Sequence, residues 1–299
     1  DIAPLKGRLN MRKDNKRTIA LYMFPAILMI IVLLYLPIFI NLYESFFSWG
    51  AMSSSHKFVG IGNYIKMFKD EVFYTALKNN MIFMIMSVIF QIGLSLIIAN
   101  TLESKFMRKT QNIFQSIYFI PSLLMVTVVG IAFKMICSPS IGIINPLLEL
   151  IGINTENIDL LGNAGSATFS IAAMSQWQYI GYTVVLFVVA IQNIPADLYE
   201  AADIDGATAW QKFKVVTYPA LKSTMVTVVS LRIIWVFYIY AEVYLLTKQV
   251  DVIGVYLYDM AFATHDFGKA AAISLLLFVL IFACVIMVRK VVLRSEKEE

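Results

Sequence analysis

The chain has 299 residues, 59% of them hydrophobic and 15% charged, with a formal net charge of +4. A soluble domain carries about 25% charged residues, so this composition and a mean hydropathy of +0.74 exclude an ordinary water-soluble domain. The positive balance does not point to nucleic acid either, because Lys and Arg flank apolar runs instead of forming a stripe of their own.

Apolar runs of about 20 residues are the length that crosses a bilayer core. Taken in chain order they predict six spans, at roughly 19–41, 80–101, 112–136, 167–192, 222–246 and 270–292. The fold expected is all-α and polytopic: a basic segment 1–18, a transmembrane domain 19–292 and a tail 293–299. The start "LKGRLNMRKDNKR" has the charge of a signal-peptide n-region, but the run after it is too long and lacks a small-residue cleavage site, so it is expected to be retained as span one. Pro25 and Pro37 lie inside that span, where neighbouring groups can satisfy the freed carbonyls. Pro121 predicts a kink or break in span three. In the segment between spans one and two, Tyr64, Met67 and Phe68 have the spacing of an interfacial helix.

Orientation follows from the Lys and Arg of the connecting segments. The N-terminus, 102–111, 193–222 and the C-terminus together hold sixteen, and the alternate segments hold six, Lys57, Lys66, Lys69, Lys78, Lys248 and Lys269. Both termini and the segment "YEAADIDGATAWQKFKVVTYPAL" (199–221) are therefore expected in the cytoplasm. Cys137 and Cys284 read as small buried hydrophobes. His56 and His265 stand alone in polar loops, without metal-ligand spacing, and no metal site is expected.

Within the cytoplasmic segment, Pro195 suits the first turn of a helix and Asp197 the positive end of its dipole. Leu198, Ala201 and Ala202 fall on one face, Tyr199, Glu200 and Asp203 on the other. Gly206 is placed to end that helix. Thr208 with Gln211 then has the form of a capping box that opens a second short helix, carrying Trp210, Phe213 and Thr217 and expected to stop at Pro219 before span five. From the residues alone, a docking hairpin and an ordinary amphipathic connector both remain open.

The motif itself resembles a known family. Glu200-Ala201-Ala202, three residues, Gly206, nine residues and a closing Pro219 are similar to the cytoplasmic signature of ATP-binding-cassette importer permeases; Val216 and Tyr218 stand where that signature has Ile and Leu. "FVGIGNYIKMF", "GIIN" and "DMAFATHDFGKAAAIS" look like the carbohydrate-uptake branch, and the loop around 58–68 resembles the first, maltose- or glycerol-phosphate-type, of its two permease subunits. "TKQVD" replaces a Gly-Gly-Pro often found after span five. The resemblance covers nearly the whole chain. It implies a permease of the bacterial inner membrane that pairs with a second homologous permease subunit, an ATPase dimer and an extracytoplasmic solute-binding protein. The ATPase would dock at Tyr199, Glu200, Ala201, Ala202, Asp205, Gly206 and Pro219. No Gly-x-x-x-x-Gly-Lys-[Ser/Thr] phosphate loop occurs in the sequence, so no cofactor is expected on this chain; ATP and Mg²⁺ would belong to the ATPase.

A substrate path is expected where polar groups enter the membrane. Arg232 lies about ten residues into span five, roughly 15 Å deep at 1.5 Å per residue. A charge there costs at least about 2.5 kcal/mol on insertion scales, so it should face protein or a water-filled cavity. On one unbroken helix Arg232, Trp235, Val236, Ile239 and Glu242 share a face, with Arg232 and Glu242 about 15 Å apart along the axis. In span four, Trp177, Gln178, Tyr179 and Tyr182 are similar in position to sugar-site residues of maltose-type permeases. Polar helix glue and interfacial aromatic belts remain the alternative for these residues. A sugar or oligosaccharide is the expected cargo. Glycerol phosphate, an anionic sugar or an amino acid, and an ATP-independent secondary transporter, are the other readings. No intramembrane enzyme motif is present.

Overall fold

The computed structural model describes residues 3–51, 56–104, 106–155 and 158–294, with side chains described from residue 17 to residue 291. Among the described residues, five helices are long and apolar enough to cross a membrane, and a bent helix pair makes a sixth candidate. The expected N-terminal segment 1–18 is helical from Ala3 onward, and residues 1–2 and 295–299 of the two expected tails lie outside the described residues.

The chain divides into two units. The first comprises residues 1–67 with 260–275. Its helix α1 runs Ala3–Ile30, loosens to a π-helical Ile31–Tyr35 and continues as Leu36–Glu44. The apolar side chains of α1 lie outside any core, Leu21 and Tyr22 being 73% and 80% exposed, as suits a helix that meets lipid or another subunit. Strands β1 (Phe47–Ser48) and β2 (Lys57–Phe58) pair antiparallel with Phe47 opposite Phe58. The expected interfacial helix is α2, Gly62–Phe68. Its fully buried Asn63 donates to the carbonyls of Ser45 (2.8 Å) and Phe47 (2.9 Å), giving the chain leaving α1 partners that the helix no longer supplies.

The second unit comprises residues 68–259 with 276–299. Helix α3 (Glu71–Leu102) starts nine residues before the expected span two, because Asp70 caps it by accepting from the Val72 amide at 3.1 Å. Expected span three is two helices, α4 (Gln111–Leu123) and α5 (Val126–Ile136), bent by 93°. Leu124 and Met125 are extended there, three residues beyond Pro121. Helix α6 (Ile144–Leu150) follows, and then α7 (Ala164–Gln192), the central helix, buried on most of its length. One end of α7 packs Ile171 and Met174 with Phe83, Val236 and Leu246; the other packs Val184 and Phe187 with Ile92, Leu221 and Val228. Gly181 is required on α7 because a Cβ there would collide with the backbone carbonyl of Tyr118, so α4 and α7 touch through their main chains.

Helix α8 (Ala196–Ile204) precedes α9, which corrects two expectations. The second short helix does not stop at Pro219: Ala209–Tyr238 is one continuous helix that passes through a π-helical Phe213–Thr217. The wider π register already interrupts the regular i→i−4 ladder just before Pro219, so its missing N–H falls where the ladder has been broken. At its far end α9 stops earlier than expected, at Tyr238, where Ile239 turns extended. Glu242 therefore lies on a separate short helix, α10 (Ala241–Leu246), and does not continue the face of Arg232. Helices α11 (Ile253–Ala263) and α12 (Phe267–Arg294) complete the chain.

Candidate functional site: a docking hairpin and an intramembrane cavity

The hairpin 195–221 is built by local signals. Pro195 is the N-cap of α8 instead of a first-turn residue, and Asp197 sits in the first turn against the positive end of the dipole. At the other end the Ala207 amide bonds the Ala202 carbonyl (2.9 Å) and the Gly206 amide that of Asp203 (3.1 Å). This paired closure requires a left-handed residue, and Gly206 supplies it with φ +73°. The capping box forms as expected: the Thr208 amide donates to Gln211 Oε1 at 2.7 Å, and the Gln211 amide to Thr208 Oγ1 at 3.4 Å.

Two contacts tie α8 to α9. Lys212 pairs with Asp203, and the Tyr199 hydroxyl meets Thr217 Oγ1 at 2.8 Å. Tyr199 thus serves the hairpin's own packing, while Glu200, Ala201, Asp205, Gly206 and Pro219 are exposed and Ala202 is half-buried. Beside them Leu198, Ile204 (87% exposed) and Trp210 (71% exposed) present a large apolar surface. A polar segment that leaves such side chains uncovered has the character of a protein-docking surface.

The cavity, of about 340 Å³, is lined by α4, α7 and α9 and is open on one side. Helix α4 contributes Phe119, Ser122 and Leu123; α7 contributes Tyr179, Tyr182, Thr183 and Leu186; α9 contributes Val228, Leu231, Arg232 and Trp235. The bend after Leu123 keeps α4 beside this space, and Gln178, fully buried, holds the bend by donating to the Leu124 carbonyl at 3.1 Å. On the other side of α7, Gln91 donates to Thr183 Oγ1 (3.0 Å) and to the Tyr179 carbonyl (3.1 Å), fixing the turn that carries two cavity residues.

Arg232 is 6% exposed. Its Cζ lies 4.6 Å from the Trp235 ring centroid and 5.8 Å from that of Tyr179, and those two rings meet edge-on at 4.8 Å. The cation is thus held by aromatic faces. Its Nε and Nη2 are themselves buried, and among the described residues neither has a hydrogen-bond partner. Leaving a buried donor unpaired costs about 1–3 kcal/mol, more when it is charged.

Of the expected path residues, the structure brings Tyr179, Tyr182, Arg232 and Trp235 to one cavity. Trp177 lies elsewhere, half-exposed with its ring against Phe133 at 5.5 Å. Gln178 is a structural clamp, and Glu242 is buried on α10 without lining the cavity. Sequence reasoning missed Phe119, Ser122 and Thr183. Thr183 follows Tyr179 by one helical turn, a spacing that could have revealed it. The contribution of α4 depends on its bend and had no comparable signal. Among the described residues, no group of three or more His, Cys, Asp or Glu side chains is placed to hold a metal.

Residues 91–297 match the model of a family described as "Binding-protein-dependent transport system inner membrane component". The chain is 35% identical over 294 residues to the probable ABC transporter permease protein YurN of Bacillus subtilis, covering 97% of this chain and 100% of that protein. It is 33% identical to the arabinooligosaccharides transport system permease protein AraP of Halalkalibacterium halodurans, covering 86% of this chain and 82% of that one. Among solved structures, a chain of a bacterial ABC transporter involved in the import of the acidic polysaccharide alginate superposes with a TM-score of 0.81 at 24% identity, covering 95% of this chain and 99% of that chain, which is a likeness of fold.

Proposed function

This chain belongs to the family of binding-protein-dependent transport system inner membrane components, and from that premise we propose that it is the permease subunit of an ATP-driven importer of a sugar or oligosaccharide. The observation that carries the reading is the continuity of α9. One helix, Ala209–Tyr238, bears Trp210 of the exposed hairpin at its start and Arg232 and Trp235 of the cavity near its end. A push on the hairpin reaches the cavity along one continuous helix of roughly 30 Å at 1.5 Å per residue, with no loop to absorb it.

In this reading an ATPase subunit grips the helix around its exposed sides, at Glu200, Ala201, Ala202, Asp205 and Gly206 together with the exposed Leu198 and Ile204. ATP and Mg²⁺ are bound by that partner. Closure of the ATPase pair displaces α8 and the start of α9, and the pairing of Asp203 with Lys212 and of Tyr199 with Thr217 makes the two helices move as one piece. A second permease subunit completes the pathway, and an extracytoplasmic binding protein delivers the cargo. A carbohydrate cargo is supported by the lining, since Tyr179, Tyr182 and Trp235 offer ring faces for the apolar face of a pyranose and hydroxyls for its polar edge. It is supported also by the oligosaccharide named for the AraP relative.

Reconstitution with the ATPase, the second permease and the binding protein tests this. ATP hydrolysis stimulated by a sugar, and uptake of that sugar only with ATP, are expected. Glu200→Ala should lower uptake by at least about tenfold, the loss of one charged contact, while membrane insertion is retained. Transport by this chain alone without ATP, or full uptake in Glu200→Ala, would count against the reading.

A further inference from the structure

Two of the three helices that line the cavity are joined to the hairpin by the chain itself. Helix α9 begins in the hairpin, and α7 ends at Gln192, with only Asn193 and Ile194 between it and Pro195, the N-cap of α8. The third wall, α4, has no such connection, since along the chain it reaches the hairpin only through α5, α6 and the whole of α7. Glu103, the C-cap of α3, closes this gap. Its Oε1 accepts from Nε2 of Gln192 at 2.7 Å and also from Nε2 of Gln111, the first residue of α4. One carboxylate oxygen thus gathers the ends of three helices, through bonds of the stronger, charge-assisted kind. Farther along, α4 and α7 meet once more, main chain to main chain, at Tyr118 and Gly181. Tyr118 lies seven residues from Gln111, roughly 10 Å at 1.5 Å per residue. A single close contact leaves two helices free to pivot about it, and a second one at the hairpin end removes the pivot.

We propose that Glu103 is a positioning residue of the transport cycle: it ties the start of α4 to the end of α7, so that a push on the hairpin moves the wall bearing Phe119, Ser122 and Leu123 together with the wall bearing Tyr179 and Tyr182. The inference rests on the ATP-driven reading and adds to it a second route by which force reaches the cavity, beside α9. Without the joint, the end of α7 follows the hairpin while α4 lags behind it, and part of the stroke is lost in the pivot at Gly181. Glu103 touches no cavity surface, so its loss should lower the yield of the stroke and leave the affinity of the cavity as it was.

The test uses Asn112→Cys and Asn193→Cys, exposed positions next to the two amides, in a chain whose Cys137 and Cys284 are changed to serine. In the full complex with the ATPase, the second permease and the binding protein, a bismaleimide should join them in equal yield with the ATPase empty and with ATP and vanadate trapped on it. With Glu103→Ala added, the two yields should differ by about threefold or more, the worth of roughly one net hydrogen bond. Glu103→Gln keeps Oε1 as an acceptor and should restore the equality. Uptake of labelled maltose or arabinobiose per ATP hydrolysed should fall about threefold to tenfold in Glu103→Ala with KM unchanged, and no further when Gln192→Leu is combined with it, as expected of two residues in one joint. If Glu103→Ala does not assemble, Gln192→Leu, at an exposed position, carries the same comparison. A yield that changes with nucleotide while Glu103 is in place means that α4 and α7 part during the cycle, and it overturns the inference. So does a Glu103→Ala complex whose two yields stay equal. A chain that assembles with no ATPase overturns the ATP-driven reading instead, and that failure is seen before any cross-link is made. If neither sugar is carried, the cross-linking yields alone decide.

Discussion

Asn80 shows how one side chain can hold a membrane protein's irregular backbone together. Fully buried on α3, it donates to the Val236 carbonyl at 2.7 Å and accepts from the Ile253 amide at 2.9 Å. Val236 lies in the last turn of α9 and Ile253 in the first of α11, where carbonyls and amides have no partner within their own helices. Asn80→Ala would leave both groups buried and unpaired, with an expected loss of about 2–6 kcal/mol at 1–3 kcal/mol per group. Gln91 makes a comparable pair of bonds, but its partners on α7 lie inside an uninterrupted helix, so Gln91→Leu should cost nearer the roughly 0.6 kcal/mol typical of interhelical bonds in membranes. Thermal unfolding of the two purified variants compares them, and equal losses would contradict the capping role of Asn80.

At the scale of elements, the hairpin was written locally and the membrane helices were not. Gly206, Thr208 and Gln211 name the end of one helix and the start of the next by residue type, and each occupies the place its chemistry requires. Gly206→Pro fixes φ near −65° where +73° is required and should break the paired closure of α8. Gly206→Ala, which tolerates a left-handed φ at a cost of roughly 1 kcal/mol, should be milder. Helix insertion should be unaffected in both, with ATP-dependent uptake abolished in the first and reduced in the second; indifference of uptake to Gly206→Pro would remove the hairpin from the mechanism. Pro219 carried a misleading signal. In isolation a proline ends a helix, yet α9 continues through a π-helical turn that has already broken the hydrogen-bond ladder beside it.

For the whole molecule, the bias of sixteen basic residues to six is the sole basis for a sidedness that places the hairpin in the cytoplasm. Single cysteines introduced after Cys137 and Cys284 are changed to serine make this measurable. Leu150→Cys, at a site 82% exposed on α6, should react with a membrane-impermeant maleimide on intact cells, and Asp205→Cys only after permeabilisation. Labelling of Asp205→Cys from outside would invert the topology. The same frame explains the many uncovered apolar side chains of α1 and α12, such as Tyr22 and Phe282, since in a membrane lipid replaces water around such side chains.

The family signature at Glu200 to Pro219, the apolar segments, the capping chemistry of the hairpin and the expectation that Arg232 faces protein or a cavity were all legible in the sequence. Each depends on residues adjacent along the chain or on hydropathy summed over a window. The bend between α4 and α5, the break at Ile239 that separates Glu242 from Arg232, and the membership of the cavity depended on tertiary structure. Gln178 stabilises the first by capturing the Leu124 carbonyl, and Asn80 stabilises the second by capping two helix ends from a third helix. Such backbone irregularities are stable only where a distant side chain supplies the missing hydrogen bond, and periodicity within a segment carries no record of that partner.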